Sequence, residues 1–133
     1  MLMLPAFLEV NKLSETPFWF DQALQTPSKP GSVEVEGANI IYETWGQPGL
    51  PGIILIHGSN AHLEWWRFTA PFLADDFHVA ALDLSGNGDS DWREKYTGED
   101  FAKEVMTVAK DSSMNDKPFI VGHSFGGFVA LET

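Results

Sequence analysis

A serine flanked by glycines is the residue of this sequence best suited to chemistry. Residues 122–126 read GHSFG, fit the pattern G-x-S-x-G, follow the apolar run PFIV and precede the helix-forming run FVALE. A strand that turns directly into a helix strains the residue at the bend, and flanking glycines remove side chains that would collide there. Such a turn would lift the Ser124 hydroxyl from the sheet, beside the free N–H groups of a helix start. The pattern predicts a nucleophile; the alternatives are a phosphate-binding turn and a plain strand–helix connection.

Two other loops carry polar or glycine-rich sequences directly after apolar runs. The run IILI is followed by HGSN at residues 57–60, and the run VAALDL is followed by SGNGDS at residues 85–90. In parallel sheets, ligands bind beyond the carboxyl ends of the strands. We therefore expect these two loops and the serine turn to meet at one edge of a sheet.

The pattern along the chain predicts an α/β fold. Residues 32–45 alternate as an antiparallel hairpin, and strands then alternate with helices to the end of the sequence. This order implies a mostly parallel sheet with an antiparallel N-terminal hairpin and, through right-handed crossovers, helices on both faces. One helix is predicted over 61–76, disturbed near Pro71, and another over 99–111, with Phe101, Val105 and Val108 on its apolar side and Glu104 on its polar side. We divide the chain into residues 1–31, an N-terminal arm with one short helix over 14–24, and residues 32–133, the main domain. Ser14 or Thr16 is the expected cap of that helix, and Pro17 suits its first turn.

Composition excludes several classes of function. The chain has 133 residues, which suits one domain, and 8 basic against 19 acidic residues give a net charge of −11. That charge argues against nucleic acid and anionic membranes as partners. The absence of cysteine excludes disulfides, zinc–cysteine sites and thiol nucleophiles. The apolar start MLMLPAFLEV lacks the features of a signal peptide, and no apolar run approaches the ~20 residues of a membrane span, so the expected location is the cytoplasm.

Three blocks of sequence resemble the α/β-hydrolase family. The segment HGSNAH resembles the His-Gly oxyanion loop of that family, DLSGNGDSDW resembles its glycine-rich loop after the next strand, and GHSFGG resembles its nucleophile elbow. The resemblance covers about residues 32–133 and corresponds to the amino-terminal half of the family's domain. It implies a partial α/β-hydrolase fold, a small-molecule substrate, and neither a metal nor an organic cofactor.

The resemblance also implies roles for individual residues. Ser124 would be the nucleophile, and the backbone N–H groups of Phe125 and Ser59 would form the oxyanion hole, with Asn60 next in line. The Ser59 hydroxyl would either assist there or make a bond that stabilises its loop. Trp65 is a candidate wall of the substrate pocket, with core packing as the alternative.

None of the four histidines stands where the family places its catalytic base. We expect His57 to order its own loop, His62 to lie at a helix start or on the surface, and His78 to begin a strand at the end away from the site. His123 adjoins the serine but should point elsewhere along the turn. Asp83 is expected to organise the glycine-rich loop by accepting N–H bonds rather than to act as the triad acid.

The position of the serine near the end of the sequence carries a further expectation. In the family the nucleophile is followed by an acid and then by a histidine, both on later strands, whereas this sequence ends at Thr133 inside the following helix. We interpret the sequence as the amino-terminal part of a longer domain, without the triad acid and histidine. Its last strand should then lie at a sheet edge with exposed apolar side chains.

The predicted function is that of a serine hydrolase acting on an ester or related carbonyl substrate through an acyl-enzyme at Ser124. Alternatives are a non-catalytic α/β-hydrolase-like binding module and a carbon–carbon bond hydrolase or haloperoxidase-like member; amidase, lipase and lactonase activities are also open. Members with an aspartate nucleophile are disfavoured because position 124 is serine. A nucleotide-binding domain lacks support, because SGNGDS does not fit G-x-G-x-x-G.

Overall fold

The computed structural model describes residues 15–115 and 117–133, so residues 1–14 of the predicted arm, including Ser14, lie outside the described residues. The elements in chain order are α1 (Phe18–Gln25), β1 (Lys29–Val35), β2 (Ala38–Trp45), β3 (Gly52–Ile56), a 3₁₀ helix (Leu63–Trp66), α2 (Ala70–Leu73), β4 (His78–Leu82), α3 (Gly98–Asp111), β5 (Phe119–Gly122) and α4 (Phe125–Glu132).

The five strands form one sheet in the order β1-β2-β4-β3-β5. Strands β3, β4 and β5 are parallel, while β2 is antiparallel to both β1 and β4. The predicted class, a mostly parallel sheet with an antiparallel N-terminal hairpin, is confirmed. Strand β1 begins at Lys29, so residues 29–31, which the sequence analysis assigned to the N-terminal arm, belong to the sheet. Pro30 is tolerated there because an edge strand needs fewer backbone donors.

The hairpin between β1 and β2 turns within two residues. Glu36 has φ 48° and Gly37 has φ 82°, and Val35 pairs with Ala38 across the turn. Positive φ at both central residues is typical of the hairpin turns whose twist matches that of the strands. Glu36 and Gly37 therefore close the hairpin that the sequence predicts over residues 32–45.

Helices cover both faces of the sheet, each over its own apolar cluster. Strands β3 and β4 are buried at every position, which explains their continuous apolar sequences. On one face Val105 of α3 and Val129 of α4 pack in a cluster with sheet residues such as Ile40, Ile54 and Leu82. On the other face Leu63 of the 3₁₀ helix and Ala70 of α2 join a second cluster, whose sheet residues are Trp45, Ile53, Leu55, Val79 and Ala81.

The three parallel strands end level with one another. Ile56 of β3 is in register with Leu82 of β4 on one side and with Gly122 of β5 on the other. The three loops that the sequence singled out therefore leave the sheet side by side. Strand β5 lies at the edge of this sheet, and its Phe119 and Val121 are exposed by 60% and 41%.

The segment predicted as one helix disturbed near Pro71 forms two short helices instead. The 3₁₀ helix covers Leu63–Trp66, and α2, with Pro71 in its first turn, covers Ala70–Leu73. Proline has no backbone N–H to continue a helical hydrogen-bond ladder, so it favours a new start at this point. The helix predicted near Pro17 is present as α1. Pro17 is its N-cap residue and so precedes the first turn, and no side chain, including that of Thr16, caps the helix.

Glu104 differs most from the sequence-based expectation. The pattern of α3 places it on the polar side of the helix, yet the side chain is fully buried, and Arg93 Nε lies 3.0 Å from its Oε1. Its Oε2 accepts the Ser85 N–H at 2.9 Å, and Arg93 Nη2 donates to the Val35 carbonyl at 2.7 Å. This buried pair thereby ties the loop after β4 to α3 and to the hairpin.

Candidate active site

Ser124 occupies a sharp turn between β5 and α4. Its backbone has φ 55° and ψ −116°, a conformation that non-glycine residues rarely adopt, and the residue is exposed. The His123 N–H donates to the Ile56 carbonyl at 3.0 Å, and the Gly126 N–H donates to the His123 carbonyl at 2.9 Å. These bonds hold the strained turn against the end of β3, and strain of this kind persists where the surroundings over-determine it.

The glycines around the serine are required by close backbone contacts. A Cβ on Gly122 would lie 2.0 Å from the Gly126 carbonyl oxygen, and a Cβ on Gly126 would lie 2.3 Å from the Ile56 carbonyl oxygen. Real Cβ atoms do not approach backbone so closely, so α4 can pack onto the end of β3 only with glycine at 126. Gly127 is different, because its nearest atom, the Gly122 carbonyl oxygen, would lie 3.5 Å away, an ordinary contact.

The two predicted oxyanion donors lie on adjacent segments. Within residues 15–115 and 117–133, neither the Ser59 N–H nor the Phe125 N–H donates to a backbone carbonyl. Gly58 brings the segments together, since a Cβ there would lie 3.4 Å from Ser124 Cβ. Ser59 and Asn60 are exposed, and Asn60 has φ 55°. The segment of Ser59 thus lies against the serine turn, and the roles of the two N–H groups stay predictions.

His57 links the oxyanion-side loop to the loop after β4. The side chain is fully buried, its Nδ1 lies 2.8 Å from the Gly58 carbonyl oxygen, and its Nε2 accepts the Leu84 N–H at 3.1 Å. An accepting Nε2 requires the proton on Nδ1, which makes the ring a neutral donor to Gly58. Burial lowers the pKa of His57, with the bond to Gly58 opposing that shift in part. Both ring nitrogens are thus engaged within the loops.

The Asp83 carboxylate also holds these loops, by accepting backbone hydrogen bonds. Its Oδ1 accepts the Leu63 N–H at 2.7 Å, and its Oδ2 accepts the Asp89 N–H at 2.9 Å. The sequence suggested bonds from residues 86–88 of the glycine-rich loop. The carboxylate instead accepts one bond from Asp89 of that loop and one from Leu63, the first residue of the 3₁₀ helix. Ser90 adds a bond from its hydroxyl to the Asp83 carbonyl at 2.6 Å.

The aromatic residues near the serine take different places. Trp65 stacks on the His123 ring, with centroids 5.5 Å apart and planes inclined by 23°, and remains 51% exposed. Trp66 packs against the apolar cluster under the 3₁₀ helix. The Phe125 ring points inward, edge-on to Phe101 at 5.4 Å, so its side chain packs in the interior while its N–H stays at the turn.

The remaining two histidines, His62 and His78, lie outside the serine turn. His62 is exposed just before the 3₁₀ helix. His78 begins β4 at the opposite end of the sheet, is 3% exposed, and has its pKa lowered by burial and by nearby Lys29. It borders a groove of about 710 Å³ that does not include Ser124.

Sequence reasoning missed three connections that the structure makes: the Trp65–His123 stack, the bond from Leu84 to His57, and the buried Arg93–Glu104 pair. The first two join residues far apart in sequence, and the third joins a loop to the helix that follows it, so no helix or strand pattern predicts them. Among residues 15–115 and 117–133, no cluster of three metal-binding side chains occurs. Nor does that part of the chain contain a helix with the length and apolar character to cross a membrane.

Comparison with known proteins gives concordant matches. A family model described as the alpha/beta hydrolase fold matches residues 51–133. An uncharacterized hydrolase of Bacillus subtilis, YugF, is 31% identical over 99 residues, which cover 73% of this chain and 36% of that protein. The dihydrolipoyllysine-residue acetyltransferase component of an acetoin cleaving system from Pseudomonas putida is 37% identical over 112 residues, 84% of this chain and 30% of that protein.

A solved structure, the thioesterase domain from the curacin biosynthetic pathway, superimposes with a TM-score of 0.69 at 30% identity. The match covers 78% of this chain and 40% of that one. The chain therefore spans about a third of the length of the curated relatives it matches.

Proposed function

Because the chain belongs to the α/β-hydrolase fold family, we propose that it supplies the nucleophile and the oxyanion hole of a serine hydrolase. One observation carries the proposal: Ser124 stands exposed at a strand–helix turn with φ 55°, and Gly58, next to Ser59, packs against that turn. In the described residues neither the Ser59 N–H nor the Phe125 N–H is bonded to a backbone carbonyl. We propose that both N–H groups point to the place where negative charge develops when the Ser124 hydroxyl attacks a carbonyl carbon.

The proposed reaction proceeds through an acyl-enzyme. Ser124 Oγ attacks the carbonyl carbon, its proton passes to a base, and the resulting oxyanion accepts bonds from the N–H groups of Ser59 and Phe125. Collapse breaks the bond to the leaving group, which takes the proton. Water then attacks the acyl-serine, releases the carboxylic acid and restores the hydroxyl.

The substrate class proposed is an ester, a thioester or a related carbonyl compound. The name of the solved thioesterase domain and that of the acetyltransferase component both refer to acyl chemistry, and each protein shares at least 30% identity with this chain. Serine at 124 favours an acyl-enzyme over the alkyl-enzyme of members with an aspartate nucleophile.

The base and acid of the triad are proposed to come from residues outside these 133. His57 has both ring nitrogens engaged, and His78 lies at the opposite end of the sheet. We expect the 133-residue chain by itself to turn over p-nitrophenyl acetate no faster than its Ser124→Ala variant. Turnover by the isolated chain that disappears in Ser124→Ala would contradict this part of the proposal.

The nucleophile itself is tested by fluorophosphonate labelling of the protein produced with the coding sequence contiguous to these residues. Labelling should occur at Ser124 and be lost in Ser124→Ala. Ser113→Ala is a matched control, because Ser113 is also exposed and has φ 61°, but lies at the end of α3. A folded protein whose Ser124 stays unlabelled would favour the non-catalytic binding module over the hydrolase.

A further inference from the structure

The stack between Trp65 and His123 joins the two segments that carry the proposed oxyanion donors. Trp65 lies on the 3₁₀ helix that ends the loop containing Ser59, and His123 immediately precedes Ser124. The ring centroids are 5.5 Å apart and the planes are nearly parallel. The contact therefore bridges from one wall of the candidate site to the other.

The His123 ring is held on its other margin by the start of the same loop. A Cβ on Gly58 would lie 3.1 Å from His123 Nδ1, so the imidazole packs closely on Gly58 as well as on Trp65. The His123 backbone is fixed to β3 through the Ile56 carbonyl. The imidazole is therefore a fixed surface on which the loop rests at two points.

The middle of the loop has few other attachments. Its ends are fixed by His57, through Leu84, and by Leu63, through Asp83. Between them the described structure records two backbone bonds, from the Ala61 N–H to the Gly58 carbonyl at 3.2 Å and from the Trp65 N–H to the His62 carbonyl at 3.1 Å. The position of the exposed Ser59 N–H thus depends on how the loop packs against the serine turn.

Core packing does not account for Trp65. Its neighbour Trp66 packs into the apolar cluster, whereas Trp65 is 51% exposed and has its covered face on His123. A large apolar side chain held half in solvent against a polar ring beside a candidate nucleophile is better explained by the geometry it imposes there.

We infer that Trp65 is a positioning residue: by stacking on His123 it holds the loop of Ser59 against the serine turn and sets the separation of the two oxyanion donors. The inference rests on the proposed function. An oxyanion hole acts on the transition state more than on the bound substrate, so loss of the stack should lower kcat and leave KM unchanged. The interaction free energy of a typical aromatic pair, when it is lost from the transition state, corresponds to a fall in kcat of roughly 3- to 10-fold.

The kinetic test uses p-nitrophenyl esters and the protein produced with its contiguous coding sequence. Trp65→Ala should lower kcat by roughly 3- to 10-fold, and Trp65→Phe, which keeps an aromatic face, should recover most of the loss. Trp92→Ala is the control, because Trp92 is 81% exposed in the loop after β4. An unchanged kcat in Trp65→Ala, or a change in KM alone, would overturn the inference; a change in KM alone would identify Trp65 as a substrate contact.

The stack itself is tested without catalysis, by tryptophan fluorescence of the 133-residue chain. His123→Ala uncovers one face of the indole, so the emission should shift to longer wavelength, and the shift should vanish when Trp65 is already phenylalanine. An emission spectrum that does not shift in His123→Ala would overturn the inference, whatever the result of the kinetic test. If the shift occurs while the longer protein neither labels at Ser124 nor turns over ester, the proposed function fails and the oxyanion role fails with it.

Discussion

Two adjacent glycines at the start of α4 should respond to the same substitution in opposite ways. Gly126→Ala places a Cβ 2.3 Å from the Ile56 carbonyl oxygen and 2.6 Å from the His57 carbonyl oxygen. Gly127→Ala places it 3.5 Å from its nearest neighbour, the Gly122 carbonyl oxygen. Both residues lie in the same helical turn, so the comparison isolates the close approach of α4 to β3.

The expected magnitudes follow from these distances. Adding a methyl group to a packed interior costs about 1–3 kcal/mol, and backbone carbonyls cannot rotate away, so the cost at 126 belongs at the upper end. The helix preference for alanine over glycine returns up to about 1 kcal/mol at each position. We therefore expect Gly126→Ala to lose about 2 kcal/mol of unfolding free energy and Gly127→Ala to gain about 0.5–1 kcal/mol.

Urea and thermal unfolding of the 133-residue chain at pH 7, followed by circular dichroism, measure the difference. A gap of about 3 kcal/mol corresponds to melting temperatures separated by roughly 10 °C in a domain of this size. Equal midpoints for the two variants, or Gly127→Ala melting below Gly126→Ala, would refute the reasoning that backbone contact demands glycine at 126.

Three further outcomes are expected. Burial lowers the pKa of both His57 and His78, so the unfolded chain binds protons at a higher pH than the folded chain, and the free energy of unfolding should fall as pH drops below about 6.5. The urea midpoint measured from pH 8 to 5 should fall less steeply in His78→Asn than in the wild type, and equal slopes in the two proteins would contradict this expectation. Arg93→Met leaves the buried Glu104 carboxylate without its ion-pair partner and should cost about 3–5 kcal/mol; a melting temperature within 2–3 °C of wild type, less than about 1 kcal/mol, would argue against a tightly coupled pair. Glu36→Asn relieves part of the strain at φ 48° and should raise stability by about 0.5 kcal/mol in the same assay, whereas a loss would mean that the Glu36 side chain matters more than its backbone.

The parts of the fold with a strong local pattern were predictable. Continuous apolar runs predicted β3, β4 and β5. The spacing of Phe101, Val105 and Val108 predicted the buried side of α3. Their parallel arrangement followed from the alternation of strands with helices. The turn at Ser124 was predictable for the same reason, since glycines at fixed offsets between strand and helix have a steric cause.

Features that depend on contacts distant in sequence were not predictable. Glu104 carries a polar side chain at a helix position that pattern alone assigns to solvent, and its burial is tolerable because Arg93 and the Ser85 N–H, both from the loop after β4, bind its carboxylate. The stack of Trp65 on His123 joins two residues that are nearly 60 positions apart in the sequence. The helix expected around Pro71 divided in two because Asp83 fixes the start at Leu63 and proline interrupts the ladder later.

The alignment of Ile56, Leu82 and Gly122 at one level has a consequence for how this protein can tolerate change in length. One residue added within β5 would push Ser124 about 3.3 Å beyond its neighbours and exchange the strand's two faces. Insertions and deletions should therefore be purged from β3, β4 and β5, because each would move one strand end out of line with the other two.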